Sequence, residues 1–289
     1  MNPMFSRTLK ALCVFAAVAL LSACGSSTTV DPFKPTRVIG LGDGYNDIRT
    51  AAGGQAPTVR EGLATGSSVV EQVAASFGVS NVVSYASAGQ KIGDLASQIA
   101  SVGGFTSGDL VVITVGTFDV KEGTNVDTAK QALMEQIQAL LDAGAKHVLV
   151  MPVLDVSRTP WGRAHSFSTT ATNTFNEAIL GAVSKSFGGR SPNPVIYANT
   201  SGVTSFFLTV TTLTAYSPFT DTGYDGTVAG TPPACGDAEA FVGCDAPVTG
   251  NTTNTNYSTM LFADGIHLTP AGNRWVAGYL YGSTGQGWR

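Results

Sequence analysis

Arg37-Val38-Ile39-Gly40-Leu41 runs straight into Gly42-Asp43-Gly44-Tyr45-Asn46-Asp47. A short apolar, β-branched run stopped by turn residues reads as a buried strand that delivers its turn to one rim of a sheet. The pattern recurs at Asn81–Tyr85, Leu110–Val115, His147–Met151 and Pro194–Ala198. Between these runs the apolar residues change to helical spacing. Val69, Val70, Val73 and Phe77 form one face, and Ala129, Leu133, Ile137, Leu140 and Leu141 a second. Phe175, Ile179, Ala182 and Val183 form a third. Asp127 is the expected N-cap of the second helix and Gly144 its stop. Thr269 caps and Pro270 opens a last helix through Trp275, Val276, Tyr279 and Leu280. Strand–helix alternation of this kind predicts a parallel sheet of five strands with helices on both faces, a three-layer α/β/α architecture. Residues 200–262, rich in Thr, Gly, Pro and Asn, break the rhythm and are expected to be a long elaborated loop before the last helix.

The 289 residues suffice for one sizeable domain or two small ones, and 43% of them are apolar, enough for a packed core. Only 12% are charged, about half the usual share, so Thr, Ser, Asn and Gly must supply much of the surface. A net charge of −4 without any Lys/Arg-rich run gives no electrostatic basis for nucleic-acid binding.

Residues 1–23 read as a signal peptide: Arg7 and Lys10 precede the apolar run Ala11–Leu21, which is too short for a permanent membrane span. The run ends in Leu21-Ser22-Ala23-Cys24, which resembles the lipobox of bacterial lipoproteins. That resemblance makes Cys24 the lipidated first residue of the mature chain, residues 24–36 a tether, and 37–289 the folded domain. The alternative is an ordinary signal peptide with a cysteine at a small-residue cleavage site. Gly25 rather than Asp after the cysteine points, by the same resemblance, to the outer membrane of a bacterial envelope. Cys13 leaves with the signal. Cys235 and Cys244 lie nine positions apart in a Gly/Pro/Asp-rich stretch, and in an exported protein they are expected to pair. Such a closure contributes about 2–3 kcal/mol. A metal site there is the weaker reading, since no histidine lies near them.

Asp264-Gly265-Ile266-His267 is the other decisive stretch. An aspartate three residues before a histidine can hold the imidazole by one nitrogen and leave the other free as a base. In an open α/β sheet ligands bind outside the carboxyl ends of the strands. Gly42-Asp43-Gly44, Ala88-Gly89 and Gly116-Thr117-Phe118-Asp119 all follow strands there, and Asp264 and His267 precede the last helix.

Taken in order, these blocks resemble the GDSL (SGNH) ester-hydrolase family. Val38–Asp43 is similar to its first block, Tyr85–Gly89 to its second, and Val112–Asp119 to its third. Met151-Pro152-Val153 through Arg158-Thr159-Pro160 is like a further segment. Tyr216-Ser217-Pro218 through Cys235, with Leu261–Thr269, resembles the lipase branch. The resemblance implies a flavodoxin-like sheet, an Asp264–His267 pair, and backbone donors to an oxyanion at Gly44 and Gly89. It also implies two departures. Gly44 stands where the family has its nucleophilic serine, and Phe118 where it has the oxyanion asparagine. Neither side chain can attack or donate.

The reading that follows is an envelope lipoprotein, monomeric, catalytically impaired, and keeping a cleft for a small ester, acyl or glycan ligand. The alternatives are an active hydrolase in which Asp264–His267 activates water or another hydroxyl, and a structural or partner-binding lipoprotein acting through residues 200–262. Ser87 is the nearest candidate for a substitute hydroxyl. Asp43 is expected to brace its turn by bonding backbone N–H groups. Tyr45 and Asn46 are expected to line the pocket, and His147 and His165 to be incidental. There is no cofactor motif and no plausible cluster of metal ligands.

Overall fold

The computed structural model describes residues 32–48, 68–198, 261–285 and 287–288. Residues 1–31, which carry the signal and Cys24, and residues 199–260, which carry Cys235 and Cys244, lie outside the described residues; so does most of the expected long loop. Lys34–Arg289 make one compact unit.

Five strands, β1 (Arg37–Gly42), β2 (Val82–Ser84), β3 (Asp109–Thr114), β4 (His147–Val150) and β5 (Val195–Tyr197), pair in the order β2-β1-β3-β4-β5, every pairing parallel. This is the flavodoxin-like doubly wound order, and its direction reverses at β1, which makes the carboxyl end of β1 and β3 the place for a site. The β1–β3 register sets Arg37 opposite Asp109. Arg37 closes on the carboxylate with both Nε (2.9 Å) and a terminal nitrogen (2.6 Å). Burial pushes the Asp109 carboxyl up, but the bonds from Arg37 outweigh it and hold the group below the usual carboxylate range.

Alternation along the strands divides the core. Ile39, Leu41, Val111, Ile113, Val148 and Val150 face one side, where they meet Leu95, Leu133, Ile137, Leu140, Phe175, Ile179 and Val183 from α2 (Leu95–Ser101), α4 (Val126–Asp142) and α6 (Thr169–Phe187). On the other side α1 (Val69–Ser76) packs along α7 (Pro270–Thr284). Gly40 lies under α1: a Cβ there would come within 3.1 Å of Val70 and 2.9 Å of Ser84 Oγ. The three layers expected from the alternation are therefore present.

Helix boundaries differ locally from expectation. Asn125, not Asp127, caps α4, its side chain accepting from the N–H groups of Asp127 and Thr128; Asp127 sits in the first turn, where its charge still favours the helix N-terminus. Gly144 follows α4 with φ +106°, a backbone conformation that favours glycine. Thr269 and Pro270 start α7 as expected, with Thr269 accepting from Gly272 N–H. The short helices α3 (Thr117–Lys121) and α5 (Pro160–Ala164) carry too few residues for a periodic signal, and both flank the site.

Candidate active site

The turn after β1 is built by backbone demands before any chemistry. Gly42 has φ +111°, and a Cβ there would stand 2.1 Å from the Thr114 carbonyl oxygen, so only glycine fits. Its two backbone groups are taken by one buried side chain: Gln98 accepts from Gly42 N–H (2.6 Å) and donates to Gly42 O (2.9 Å). Asn46 ends the 3₁₀ turn Gly44–Asn46 and donates through Nδ2 to the carbonyls of Leu41 (3.0 Å) and Val112 (2.8 Å). Asn46 was expected to line the pocket. Its amide nitrogen instead turns into the sheet and ties the turn to β1 and β3.

Asp43 braces the same turn as expected, Oδ1 accepting from Tyr45 N–H at 3.3 Å. Its other oxygen, Oδ2, is buried and has no hydrogen-bond partner among the described residues. The hydroxyls of Thr114 and Thr117 lie near enough to favour its charge. Burial pushes the Asp43 carboxyl up to about 7, with the facing His267 pulling it back.

Asp264 and His267 lie on a tight hairpin. Phe262 and Leu268 form an antiparallel bridge, Ala263 N–H donates to His267 O (2.8 Å), and Thr269 N–H to Leu261 O (2.9 Å). Inside that frame Asp264 Oδ1 accepts from the N–H groups of Ile266 (2.8 Å) and His267 (2.6 Å), while Oδ2 lies 2.8 Å from His267 Nδ1. The carboxylate thus fixes both the backbone of the turn and the ring. Burial pulls the His267 pKa down, but the charge and hydrogen bond of Asp264, helped by Asp43 and Asp47, outweigh it and raise the value above 6.5. His267 is 1% exposed, and its Nε2 has no hydrogen-bond partner among the described residues.

The hairpin rests on the β1 turn. Tyr45 Oη donates to Ile266 O (2.9 Å), and its ring meets the His267 imidazole edge-on at 5.4 Å between centroids. Phe118, at the start of α3, lies 6.2 Å from the same imidazole. From the other side Trp161 N–H, in the first turn of α5, donates to Gly265 O (2.9 Å). Gly89 belongs to a loop joined to the β1 turn by Ser87 N–H to Gly42 O (3.1 Å) and Ala88 N–H to Asp47 Oδ2 (3.3 Å). It has φ +80° and nothing within 4 Å of where a Cβ would stand. Residues 44, 89, 118, 264 and 267, scattered over the chain, therefore lie around one rim of the sheet.

Other candidates fall elsewhere. No hydrogen bond joins Ser87 to His267 Nε2. His147 packs edge-on against Trp288, and burial lowers its pKa. His165 stacks on Trp161 at 4.5 Å. Gln98, the Asn46 clamp and the Trp161 backbone contact were not legible: a glutamine on a seven-residue helix carries no periodic signal, and a backbone donor carries no side-chain signal at all. Among the described residues no group of three His, Cys, Asp or Glu could hold a metal ion, and no helix is long and apolar enough to cross a membrane.

The doubly wound sheet that carries this pair is shared with solved structures. An acetylxylan esterase from Geobacillus stearothermophilus superposes with a TM-score of 0.50 at 15% identity, covering 89% of this chain and 98% of that one. A variant of the same enzyme, described as an acetyl-xylooligosaccharide esterase, gives a TM-score of 0.51 at 14% identity over 88% of this chain and 95% of that one. Likeness at this identity concerns the fold. No curated protein sequence matches significantly. The family model for GDSL-like Lipase/Acylhydrolase matches residues 41–280, from the end of β1 to the middle of α7. That match spans most of the chain and both ends of the site just described, and the chain accordingly belongs to the GDSL-like lipase/acylhydrolase family.

Proposed function

We propose that this protein is a non-hydrolysing GDSL-family member of a bacterial envelope, lipid-anchored through Cys24, whose cleft holds an ester, acyl or glycan ligand. One observation carries the catalytic part of the reading. The Asp264–His267 pair sits against the Gly44–Asn46 turn through Tyr45, and residue 44 brings no side chain to the imidazole nitrogen that has no partner among the described residues. On this reading Gly44 replaces the family's serine and Phe118 its oxyanion asparagine. In a triad protease loss of the serine costs about 10⁶-fold in kcat. Loss of one oxyanion donor costs on the order of 10²–10³. The first alone closes the acyl-enzyme route, while the backbone N–H groups of Gly44 and Gly89 keep the donors that hold a carbonyl. Acetylated sugars, the substrates named for the esterases of like fold, are the first ligands to try.

The test is covalent. A fluorophosphonate probe is expected to leave the native chain unlabelled. Robust labelling of any serine, abolished by His267→Ala, would overturn the reading. For the envelope part, metabolic labelling with a palmitate analogue is expected in the native host and lost in Cys24→Ala; equal labelling of both removes the anchor.

A further inference from the structure

Around its axis α7 is uneven. Val276, Ala277 and Leu280 are buried against the fold, while Arg274, Gly278 and Gly282, four residues apart, make one exposed row. Trp275 and Tyr279 stand beside that row. Glycine inside a helix is a destabilising choice, and no packing demand explains these two: nothing lies within 4 Å of where either Cβ would stand. The missing side chains leave a trough. On its far side runs β5, the edge strand of the sheet. Val195 belongs to the core that α6 covers, so Ile196, next along the strand, turns to the α7 side. Between them lies a cavity of about 890 Å³, within the range of about 300–1,000 Å³ that holds small molecules. None of its described lining residues belongs to the rim that carries His267.

The chemistry of the trough is one-sided. Indole, phenol and aliphatic side chains make its walls, and Arg274, at one end of the row, is the only charged residue among the described lining. No carboxylate among the described residues pairs with it. From Arg274 to Gly282 the helix rises about 12 Å. Tyr197 and Ser283 also border the cavity, but their hydroxyls donate to Asn176 Oδ1 and to the Tyr279 carbonyl, so their hydrogens are not offered to a polyol. A linear apolar body with one negative end matches both the walls and the guanidinium. We infer that the α7–β5 trough is a second binding site that holds a free fatty acid, its carboxylate at Arg274 and its chain over Gly278 and Gly282. The site is independent of the reading of Gly44, since no bond is made or broken in it.

The experiment photolyses the full chain with a dodecanoate analogue that carries a diazirine on its chain, and maps the adducts by mass spectrometry. Adducts are expected on α7 between Arg274 and Gly282 and on Ile196, and dodecanoate is expected to compete them away. Each methylene removed from the competitor should weaken it about fourfold. Methylation of its carboxylate should weaken it about two- to fivefold, the range for one exposed charge pair. Gly278→Leu fills the trough with a better helix former, so the unfolding midpoint is kept while the adducts are lost. Arg274→Gln is expected to erase the difference between dodecanoate and its methyl ester and to leave the chain-length dependence in place. Adducts confined to the rim at Tyr45 or Phe118, labelling that dodecanoate does not compete, or labelling unchanged in Gly278→Leu overturns the proposal. So does a complex of two chains that Gly278→Leu disperses, since a second copy would then occupy the trough.

Discussion

The two sides of the site are finished to different degrees. On the Leu261–Thr269 hairpin, Asp264 makes three hydrogen bonds, Gly265 and Ile266 each have a carbonyl held from outside, and every bond serves the orientation of one imidazole. Across from it, the Gly44 turn is equally well fixed in its backbone, by Gln98 and Asn46, yet presents glycine and, from α3, phenylalanine. Both sides are held by hydrogen bonds, and only one presents a titratable side-chain pair to the site. The difference teaches that the hydrogen-bond frame of such a site serves folding as well as chemistry: the Gly44 turn is fixed by its backbone bonds without any side chain at residue 44, whereas the hairpin hangs on the Asp264 carboxylate.

The comparison is broken most forcefully by giving the Gly44 side a reactive group. Gly44→Ser, combined with Phe118→Asn, is expected to raise p-nitrophenyl acetate cleavage by orders of magnitude, with a ceiling of about 10⁶-fold from the serine. Rates indistinguishable from the parent would mean that the two sides do not form a working pair. Next in size is the finished side. Asp264→Ala leaves a buried imidazole and two buried N–H groups without their acceptor and is expected to cost about 3–5 kcal/mol in urea unfolding. A loss below 1 kcal/mol would show that the hairpin does not need its carboxylate.

Gln98→Ala probes the frame of the other side. Gly42 N–H loses its acceptor while Gly42 O keeps the bond from Ser87 N–H, so a loss of about 1–3 kcal/mol is expected for the one group left unpaired, read from the unfolding midpoint. The electrostatic link between the sides is sharpened by Asp43→Asn. Asp43 is raised from 3.8 to about 7 in the fold, so its stabilising contribution is complete below 3.8 and is lost as pH rises to about 7. His267 is raised from 6.5, so its contribution is complete below 6.5 and is lost as pH rises through the folded value. The two groups face each other and titrate as a coupled pair. The native chain is therefore expected to lose stability as pH rises through both windows. Asp43→Asn should flatten the lower one and bring the His267 pKa down in an imidazole ¹⁵N titration; an unmoved pKa would separate the sides. The smallest effect is expected from Tyr45→Phe, which removes the bond to Ile266 O at about 0.5–1.5 kcal/mol.

Much of the fold was legible because strands buried on both faces are written as unbroken β-branched runs. All five were found to within one or two residues, and their parallel pairing followed from alternation with helices, while the flavodoxin-like sheet type came from the family resemblance. The caps were legible where side-chain chemistry is local, as at Thr269, and misassigned at Asp127, where Asn125 two residues earlier makes the actual bonds. Asp264 and His267 were legible because only two residues of chain, Gly265 and Ile266, separate them. Asn46 was misread because a polar residue in a turn is expected to face outward, and here the strand-end carbonyls of Leu41 and Val112 take its amide.

By itself the sequence determined the five strands and the four longer helices, the acid–imidazole pair, and the absence of a hydroxyl at residue 44, since each is a property of neighbouring residues or of one side chain. Tertiary structure alone decided that the pair rests on the turn of β1, that Gln98 and Trp161 hold the two sides, and that His267 Nε2 is buried with no hydrogen-bond partner among the described residues. Those facts depend on contacts between residues 45 and 266, or 42 and 98. Such contacts form because parallel pairing brings strand ends together, not because anything nearby in the chain requires them.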